Sequence, residues 1–516
     1  MSGNVPIISV IIPTHNRSTS LRRMLDALCA QTYSLQQVEV LVVADGCTDG
    51  TLEMLRRYSA PFALRAITLP GQGAAAARNQ GATHATGRLL LFLDDDVEPT
   101  PSLIEAHVRA HQRRPGQVAI GPYPPVLQSA SFFHIGLRAW WEAKFHAMLQ
   151  PGHRWTYQDL LSGNFSLEAE LFACVGGFDP DPAFQAHEDY ELGIRLIKAG
   201  VPFTFAADAM AYHHETSDLD RAFRRARQEG RADVLIGQRY PELRATLPLA
   251  RFASPGSLRR RILHILIRKW PVVCDLLATY FQRALGPLER ARLRHHWHRL
   301  YETLRSYWYW RGVMEKLGTG RPLANFVRGD QADLDEGDPK IELDLREGLE
   351  AAERRLDEER PMAARIWYGQ QLVGLIPSQP GAEALRGAHL RPILANVLAV
   401  PLLEVLALEG AMTTSTTVDR LKLSKSIRSL SPWFGAVKPG KMWFEQYGQW
   451  KQLEREESEE RLLREHWDLF GELERETARL EAQRDIWQRL AEERERIIRQ
   501  QQARTIELAP DKALLE

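Results

Sequence analysis

Short apolar runs alternate with helical segments over residues 7 to about 120, and this alternation limits the fold more than any other feature of the chain. The apolar runs are "IISVIIP", "VEVLVVAD", "FALRAITLP" and "RLLLFLD". The segments between them, "STSLRRMLDALCAQ", "GTLEMLRRYSA" and "AAAARNQGATHAT", have the spacing of helices. Strands that are buried on both faces and joined by helices indicate a mostly parallel α/β sheet.

The charge balance bears on the partners that we expect. Lys and Arg together number 66, as do Asp and Glu, so the formal net charge is zero. No global field attracts nucleic acid, and we expect no nucleic-acid partner. Four cysteines are widely spaced, without a CxxC pair, which is typical of a reducing compartment.

The chain shows no clear targeting or membrane-spanning segment. "MSGNVPIISVIIPTHNR" at the N-terminus reads as an early strand and lacks the pattern of a signal peptide. The longest apolar stretch, residues 392–408, contains Asn396, Pro401 and Glu404, and we interpret it as a buried helix. We therefore predict a cytoplasmic protein, with attachment to the inner face of the cell membrane as an open alternative.

The amino-acid composition changes several times beyond the sheet region, and these changes predict the domain organisation. A catalytic domain of α/β type is followed by a helical extension, a small α+β unit with a hairpin near Gly369, and a long C-terminal helix or coiled coil. The predicted boundaries are 1–245 for the first domain, 246–327 for the extension, 328–340 for a linker, 341–412 for the small unit, 413–448 for a connector and 449–506 for the long helix. A single solvated helix remains an alternative to a coiled coil.

Three adjacent carboxylates, Asp94, Asp95 and Asp96, follow the apolar run at residues 88–93. Ligands of open parallel sheets bind where the strands end at their carboxyl edge. Like charges at this spacing raise one another's pKa unless a cation is present. A divalent metal and a diphosphate would fit there. A solvated acidic loop that precedes the next helix explains the motif alone equally well.

An ordered set of motifs favours the first of these interpretations. In chain order the set consists of "SVIIPTHNR", "VVADGCTDGT", "GQGAAAARNQGATHATG", "FLDDD", "GGFDP", "HEDYELGIRLIKAG" and "AYHH". Together they resemble the family 2 inverting glycosyltransferases, which have the Rossmann-like GT-A fold. The resemblance covers about residues 7–245, less than half of the chain, and it is specific because the motifs occur in one order.

The resemblance implies a set of donor-binding residues. The loop after the first strand, with Pro13, Thr14 and Arg17, would lie against the base and ribose of a nucleotide. Asp45 would accept a hydrogen bond from the base, and Arg78 would lie near the diphosphate. Asp94 and Asp95 would touch the ribose or a metal. The donor-binding set is Pro13, Thr14, Arg17, Asp45, Arg78, Asp94 and Asp95.

The resemblance also implies a metal and an acceptor side. Asp96 and His213 would hold Mn²⁺ or Mg²⁺, with His214 as the competing histidine. Asp189 would act as the general base on the acceptor hydroxyl, with Glu188 orienting that base or the acceptor. Gly163 and Asn164 in "LLSGNFSL" would line the acceptor pocket or the donor pocket, and we assign them to the acceptor.

The function implied is transfer of one sugar from a nucleotide-diphosphate sugar, most simply a UDP-sugar, to a glycan or lipid-linked acceptor in cell-surface polysaccharide or glycolipid synthesis. Processive family members carry Gln-x-x-Arg-Trp, whereas Ala232 follows Arg231 in this chain. Two other functions stay open: a nucleotidyltransferase, and a non-catalytic scaffold built on the coiled coil. "PTHNRSTS" lacks the Gly and Lys of a phosphate loop, which counts against the nucleotidyltransferase.

Two features of the second half predict partners. "SLRRRILHILIRKWPVV" at residues 257–273 is basic and apolar, which suits an anionic membrane surface or packing on the catalytic domain. The C-terminal segment predicts a homo-oligomer through a coiled coil.

Overall fold

The computed structural model of the chain describes residues 8–413 except 127–128, 130, 151, 182–183, 185, 251–266, 268, 319–322 and 329–340. The predicted long helix at 449–506 lies outside the described residues. So do the connector at 413–448 and the linker at 328–340, apart from Thr413 and Arg328, which end helices.

A seven-stranded sheet forms the centre of the N-terminal region, and it confirms the predicted mostly parallel α/β fold. Its strands are β1 (Ile8–Thr14), β2 (Val38–Asp45), β3 (Ala63–Leu69), β4 (Leu89–Leu93), β6 (Val118–Ile120), β7 (Asn164–Glu168) and β8 (Phe203–Phe205). Their order is β3-β2-β1-β4-β7-β6-β8. The first four run parallel, with Ile8 paired to both Val38 and Leu89, whereas β7 is antiparallel to β4 and β6.

Helices surround this sheet and bury its apolar strands. They are α1 (Ser18–Cys29), α2 (Thr51–Arg57), α3 (Ala74–His84), α4 (Leu103–Arg113), α5 (Phe132–Leu149), α6 (Ala169–Cys174), α7 (Glu188–Lys198) and α8 (Leu219–Arg239). Short 3₁₀ turns lie at Leu35–Gln37, Tyr157–Asp159 and Pro241–Leu243. The helix α3 lies very close to the sheet at Gly81, where a Cβ atom would stand 2.4 Å from Cγ2 of Ile11. Only glycine permits that approach.

A two-stranded antiparallel ribbon joins two distant parts of the sequence. It pairs β5 (Val97–Pro99) with β9 (Ala211–His213), so that Val97 faces His213. Since Val97 directly follows the three aspartates, this pairing brings His213 to the carboxyl end of β4.

A helical region follows, and it packs mainly on α8. It contains α9 (Pro271–Gln282), α10 (Leu285–Arg290), α11 (Arg294–Leu317) and α12 (Leu323–Arg328). The helices α8 and α11 cross with their backbones in contact, because Gly230 lies against the carbonyl of Tyr309 and Gly312 against the carbonyl of Arg227. A Cβ atom at either glycine would come within 2.0 Å of that oxygen.

The small unit predicted at 341–412 has its own apolar core. Its sheet has the order β10 (Ile341–Asp344), β11 (Ala364–Tyr368) and β12 (Gln371–Ile376), and the predicted hairpin turns at Gly369, which has a positive φ. After β10 comes a 3₁₀ turn at Leu345–Glu347, and the helices are α13 (Leu349–Glu359), α14 (Gly387–Asn396) and α15 (Ala399–Thr413).

The interpretation of residues 392–408 as one buried helix is wrong. The chain breaks between α14 and α15, and Val397 and Leu403 are exposed there. Within the described residues, no single helix has the length and apolarity needed to cross a membrane; the bent pair Gly387–Asn396 and Ala399–Leu406, at 79°, meets that test by length and composition alone.

The small unit contacts the segment that supports α7. Backbone carbonyls of Glu383 and Met362 accept hydrogen bonds from Arg154, each at 3.0 Å, and the Glu383 carboxylate accepts one from the Trp155 amide. The Tyr157 amide donates to the carbonyl of Gly381 at 3.0 Å. Tyr157 in turn stacks edge-on against Tyr190 of α7, so the unit buttresses the element that carries the predicted base.

Candidate active site

The three aspartates after β4 are held by two arginines from other elements. Arg17, at the end of the β1 loop, contacts Asp95 at 2.9 Å and Asp96 at 2.5 Å. Arg78, on α3, contacts Asp94 at 2.6 Å. A strand end with three like charges is therefore tolerated because a guanidinium group neutralises each carboxylate.

The two inner carboxylates differ in their pKa. Burial and the neighbouring charge of Asp96 raise the pKa of Asp95 to about 6, although Arg17 and the hydroxyl of Thr14 oppose the shift. Burial would also raise the pKa of Asp96, but the contact with His213, together with Arg17, lowers it to about 2. Asp96 is thus the carboxylate that remains ionised throughout the neutral range.

His213 lies beside Asp96, as the pairing of β5 with β9 requires. Its Nε2 atom is 3.4 Å from Oδ1 of Asp96 and 3.8 Å from a carboxylate oxygen of Glu215. The Nδ1 atom of His213 is buried and has no hydrogen-bond partner. His214, the competing residue, points instead to Glu98, with Nε2 2.6 Å from the carboxylate.

Arg78 connects the carboxylates that follow β4 to the first turn of α7. Besides Asp94, its guanidinium contacts the carboxylate of Glu188 at 3.2 Å. The side chain is buried and lies over the ring of Phe178. The predicted contact of Arg78 with a diphosphate stays a prediction, since the carboxylates already occupy its two terminal nitrogens.

The predicted base, Asp189, lies in the first turn of α7 beside Glu188. Burial and the like charge of Glu188 raise the pKa of Asp189 to about 6. The turn begins at His187, a left-handed residue with φ of 64° whose ring contacts Asp233 at 3.1 Å. Tyr309 donates a hydrogen bond to the other oxygen of Asp233, at 2.5 Å, so the region around the start of α7 is fixed from α8 and α11.

Asp45, at the end of β2, organises a loop. Its carboxylate accepts hydrogen bonds from the backbone amides of Gly71, Gln72 and Gly73, at 2.6–2.8 Å. Pro13 is half-buried in β1 on the neighbouring strand. The predicted contact of Asp45 with a nucleotide base stays a prediction.

The predicted role of Asn164 in the acceptor pocket needs correction. Its side chain is fully buried, and it bonds to His107 and to the carbonyls of Ala209 and Pro122. Both ends of the amide are therefore used inside the fold. Gly163 lies beside the strand-end carboxylates, since its carbonyl accepts a hydrogen bond from the Asp94 amide at 3.3 Å, and a Cβ atom added there would stand 2.7 Å from the ring of Tyr123.

Other residues of the cleft are not evident in the sequence. Arg225, on α8, interacts electrostatically with Asp189 and Glu188. The rings of Tyr123 and Trp141 lie against His213, with centroids at 5.9 and 6.1 Å. Of these residues only Trp141 stands out in the sequence, because it forms a pair with Trp140.

Residues 9–176 match the family model described as Glycosyl transferase family 2. The match covers less than half of the chain, so this region is similar to family 2 glycosyltransferase domains, and its mostly parallel sheet confirms the fold that the motifs predicted.

Several known proteins resemble this region. Validoxylamine A glucosyltransferase of Streptomyces hygroscopicus subsp. jinggangensis is 33% identical over 249 residues, which are 42% of this chain and 58% of the relative. Glycosyltransferase AglE of Haloferax volcanii is 38% identical over 110 residues, which are 21% of this chain and 36% of the relative. The chain thus spans less than two thirds of the length of either relative.

Among solved structures, the mannosyltransferase PcManGT from Pyrobaculum calidifontis in complex with GDP-Man and Mn²⁺ is 21% identical. The match covers 61% of this chain and 88% of that one, with a TM-score of 0.38.

Proposed function

We propose that the chain transfers one sugar from a nucleoside-diphosphate sugar to a hydroxyl group of a glycan or lipid-linked acceptor, with inversion at the anomeric carbon. One observation carries this proposal. Arg78 links the strand-end carboxylate Asp94 to Glu188, the neighbour of a carboxylate with a pKa of about 6. One side chain thereby joins the proposed donor site to the proposed base for the acceptor.

The donor side would bind the nucleotide through the ends of β1, β2 and β4. Thr14 and Arg17 border Asp95, and Asp45 fixes the loop at residues 71–73. An arginine that bridges two carboxylates is free to exchange one of them for phosphate oxygens, which are equally good bidentate partners. We propose that Arg17 makes this exchange when the donor binds.

A divalent cation, Mn²⁺ or Mg²⁺, fits the donor side through Asp96 and His213. The described residues contain no group of three or more metal-ligating side chains that completes a site. Two protein ligands suit a cation that takes its remaining ligands from phosphate oxygens and water. The Asp96 carboxylate stays ionised and an imidazole faces it, so the donor set has the required chemistry. Such a cation would neutralise the charge on the departing diphosphate.

The acceptor side would supply the proton acceptor. Asp189 is ionised above its pKa of about 6 and would take the proton of the attacking hydroxyl as the new bond forms. Glu188, held by Arg78, would orient the acceptor. A single base and direct displacement need no carboxylate nucleophile, and they give inversion, as in the corresponding hydrolases.

Transfer of one sugar, rather than chain elongation, is supported at α8. Arg231 forms an ion pair with Glu315 of α11 at 2.5 Å, and the following residue, Ala232, is buried. The element that would carry a processive Gln-x-x-Arg-Trp motif is thus packed into the helical region.

The wider setting of the reaction follows from the proposed acceptor. We propose synthesis of a cell-surface polysaccharide or glycolipid on the cytoplasmic side, and peripheral contact with the membrane where a lipid carries the acceptor. Assembly through the segment 449–506 also stays a proposal, because that segment lies outside the described residues.

The rate of transfer should depend on pH through Asp189. The basic form is required, so we expect kcat/KM to fall about tenfold per pH unit below the pKa of about 6 and to level off above it. Measurement of kcat/KM between pH 4.5 and 8, roughly the range in which carboxylates with raised pKa titrate, checks this. A rate that is flat down to about pH 4.5 would exclude a base with this pKa.

Calorimetric titration of the intact protein with UDP, dTDP, GDP and CDP, each with and without Mn²⁺, tests the proposal. We expect one of the nucleotides to bind tightly, and only with the metal present. If the folded protein binds none of them, the glycosyltransferase function is contradicted.

A further inference from the structure

The outward face of α9 is apolar. Val272, Val273, Leu276, Leu277, Tyr280 and Phe281 are each between 50% and 68% exposed. Their spacing of i, i+1, i+4, i+5, i+8 and i+9 places them on one continuous stripe. Trp270, 58% exposed, precedes the first turn. A surface helix of a globular domain normally turns such a stripe inward.

The opposite face of α9 shows that this orientation is fixed by the fold. Cys274 and Ala278 are buried on the inner side. Asp275 accepts a hydrogen bond from Tyr307 at 2.5 Å and pairs with Arg311 at 3.1 Å, both on α11. Rotating the stripe inward would expel this ion pair, so the apolar face is held outward.

Exposed cations flank α9 at both ends, at Lys269 and Arg283, and others follow it along the chain. Between residues 269 and 300 they are Lys269, Arg283, Arg290, Arg292 and Arg299. The same stretch contains two acids, and both are engaged: Asp275 with α11, and Glu289 with the backbone amide of Phe132 at 2.7 Å. The segment around this apolar stripe is therefore basic, although the whole chain has a net charge of zero.

We propose that the outward face of α9 and its flanking cations are a docking surface for an anionic lipid bilayer. Large apolar side chains enter the interface, while lysine and arginine meet acidic headgroups. A second copy of the chain fits less well, because a symmetric contact would place the same cations opposite one another.

The membrane surface rests on the proposed function, because it would serve the transfer of a sugar to a lipid-linked acceptor. It assigns the peripheral membrane contact to one face of the helical region. A lipid-linked acceptor would then be presented to an enzyme that is already seated on its membrane.

Flotation of the full chain with vesicles tests the proposal. We expect the protein to float with vesicles that contain phosphatidylglycerol and to stay behind with pure phosphatidylcholine. The double variant Leu276→Glu/Tyr280→Glu should lose binding, because two charges enter the apolar stripe. The matched control is Leu372→Glu on β12, at a side chain that is 51% exposed, and it should bind like the wild type.

A second variant probes the charges. Arg283→Glu should lower the partition onto phosphatidylglycerol vesicles by at least about fivefold, since each basic residue near the surface contributes about 1 kcal/mol. Addition of salt should have the same effect on the wild type.

Three outcomes would overturn the proposal. They are no flotation of the wild type, equal flotation of the double variant, and a dimer in solution that the double variant converts to a monomer. Nucleotide binding with Mn²⁺, measured on the same double variant, separates the two proposals. Retained nucleotide binding without flotation of any form would contradict the membrane surface alone, whereas loss of nucleotide binding in every form would contradict the enzyme.

Discussion

Asp189→Asn is expected to abolish sugar transfer while leaving the donor site intact. An asparagine has nearly the same shape but cannot accept the proton of the acceptor hydroxyl, so we expect kcat to fall by about 10²–10⁴-fold. Binding of nucleotide with Mn²⁺ should stay within about twofold of the wild type, since Asp189 does not touch the strand-end carboxylates directly. Steady-state transfer kinetics and calorimetry on the same preparation check both parts.

Asp220→Asn is the matched control for this variant. Asp220 is also a carboxylate in the first turn of a helix, but it is exposed at the start of α8. Its kcat and KM should be unchanged. If Asp189→Asn keeps its activity and Glu188→Gln loses it, the base is Glu188, and the roles assigned to the two neighbours must be exchanged.

Asp96→Asn is expected to remove metal-dependent nucleotide binding. The amide supplies no negative charge to a divalent cation, and stabilisation of several kcal/mol is lost with that charge, which corresponds to roughly 10²-fold or more in affinity. Weak metal-independent binding should appear in the variant, since Arg17 loses one carboxylate partner and becomes available to phosphate. Calorimetry with and without Mn²⁺ measures both effects.

Asp208→Asn provides the control, since this acid lies on an exposed loop with its side chain 73% exposed. It should bind metal and nucleotide as the wild type does. If Asp96→Asn binds the nucleotide with an undiminished metal requirement, the cation is held elsewhere, and Asp94 becomes the next residue to test.

The sequence predicted the position of the site because strand ends are local features. The apolar runs that end at Thr14, Asp45 and Leu93 place the loops that follow them at one edge of a parallel sheet. The acidic residues at the start of α7 indicated the first turn of that helix. These elements depend on patterns a few residues long, which hydrophobic periodicity reports well.

Contacts between segments that are distant in the sequence were harder to predict. The arginines that neutralise the aspartates lie 16 and about 80 residues away along the chain, and no periodicity relates them. Only the ordered family motifs singled out Arg17 and Arg78. Asn164 was predicted to line a pocket on the basis of the family resemblance. Burial of its amide against His107 depends on α4, which the motif does not contain.

The orientation of side chains in the helical region could not be predicted from the sequence pattern either. The apolar stripe of α9 and the exposed Val397 both lie in apolar stretches that indicate a core. Whether the side chains of such a stretch face inward depends on how the neighbouring helices pack against it. On α9 the ion pair of Asp275 with Arg311 holds the polar face inward, so the apolar stripe faces outward.

The proposed reaction breaks the bond between a sugar and a nucleoside diphosphate. The most direct measurement is release of nucleoside diphosphate from a panel of nucleotide sugars, incubated with the wild type and Mn²⁺ and with water as the acceptor. We predict slow release from one donor, no release without metal, and none from Asp96→Asn. Absence of release from every donor by the folded wild type, or equal release by Asp96→Asn, would contradict it.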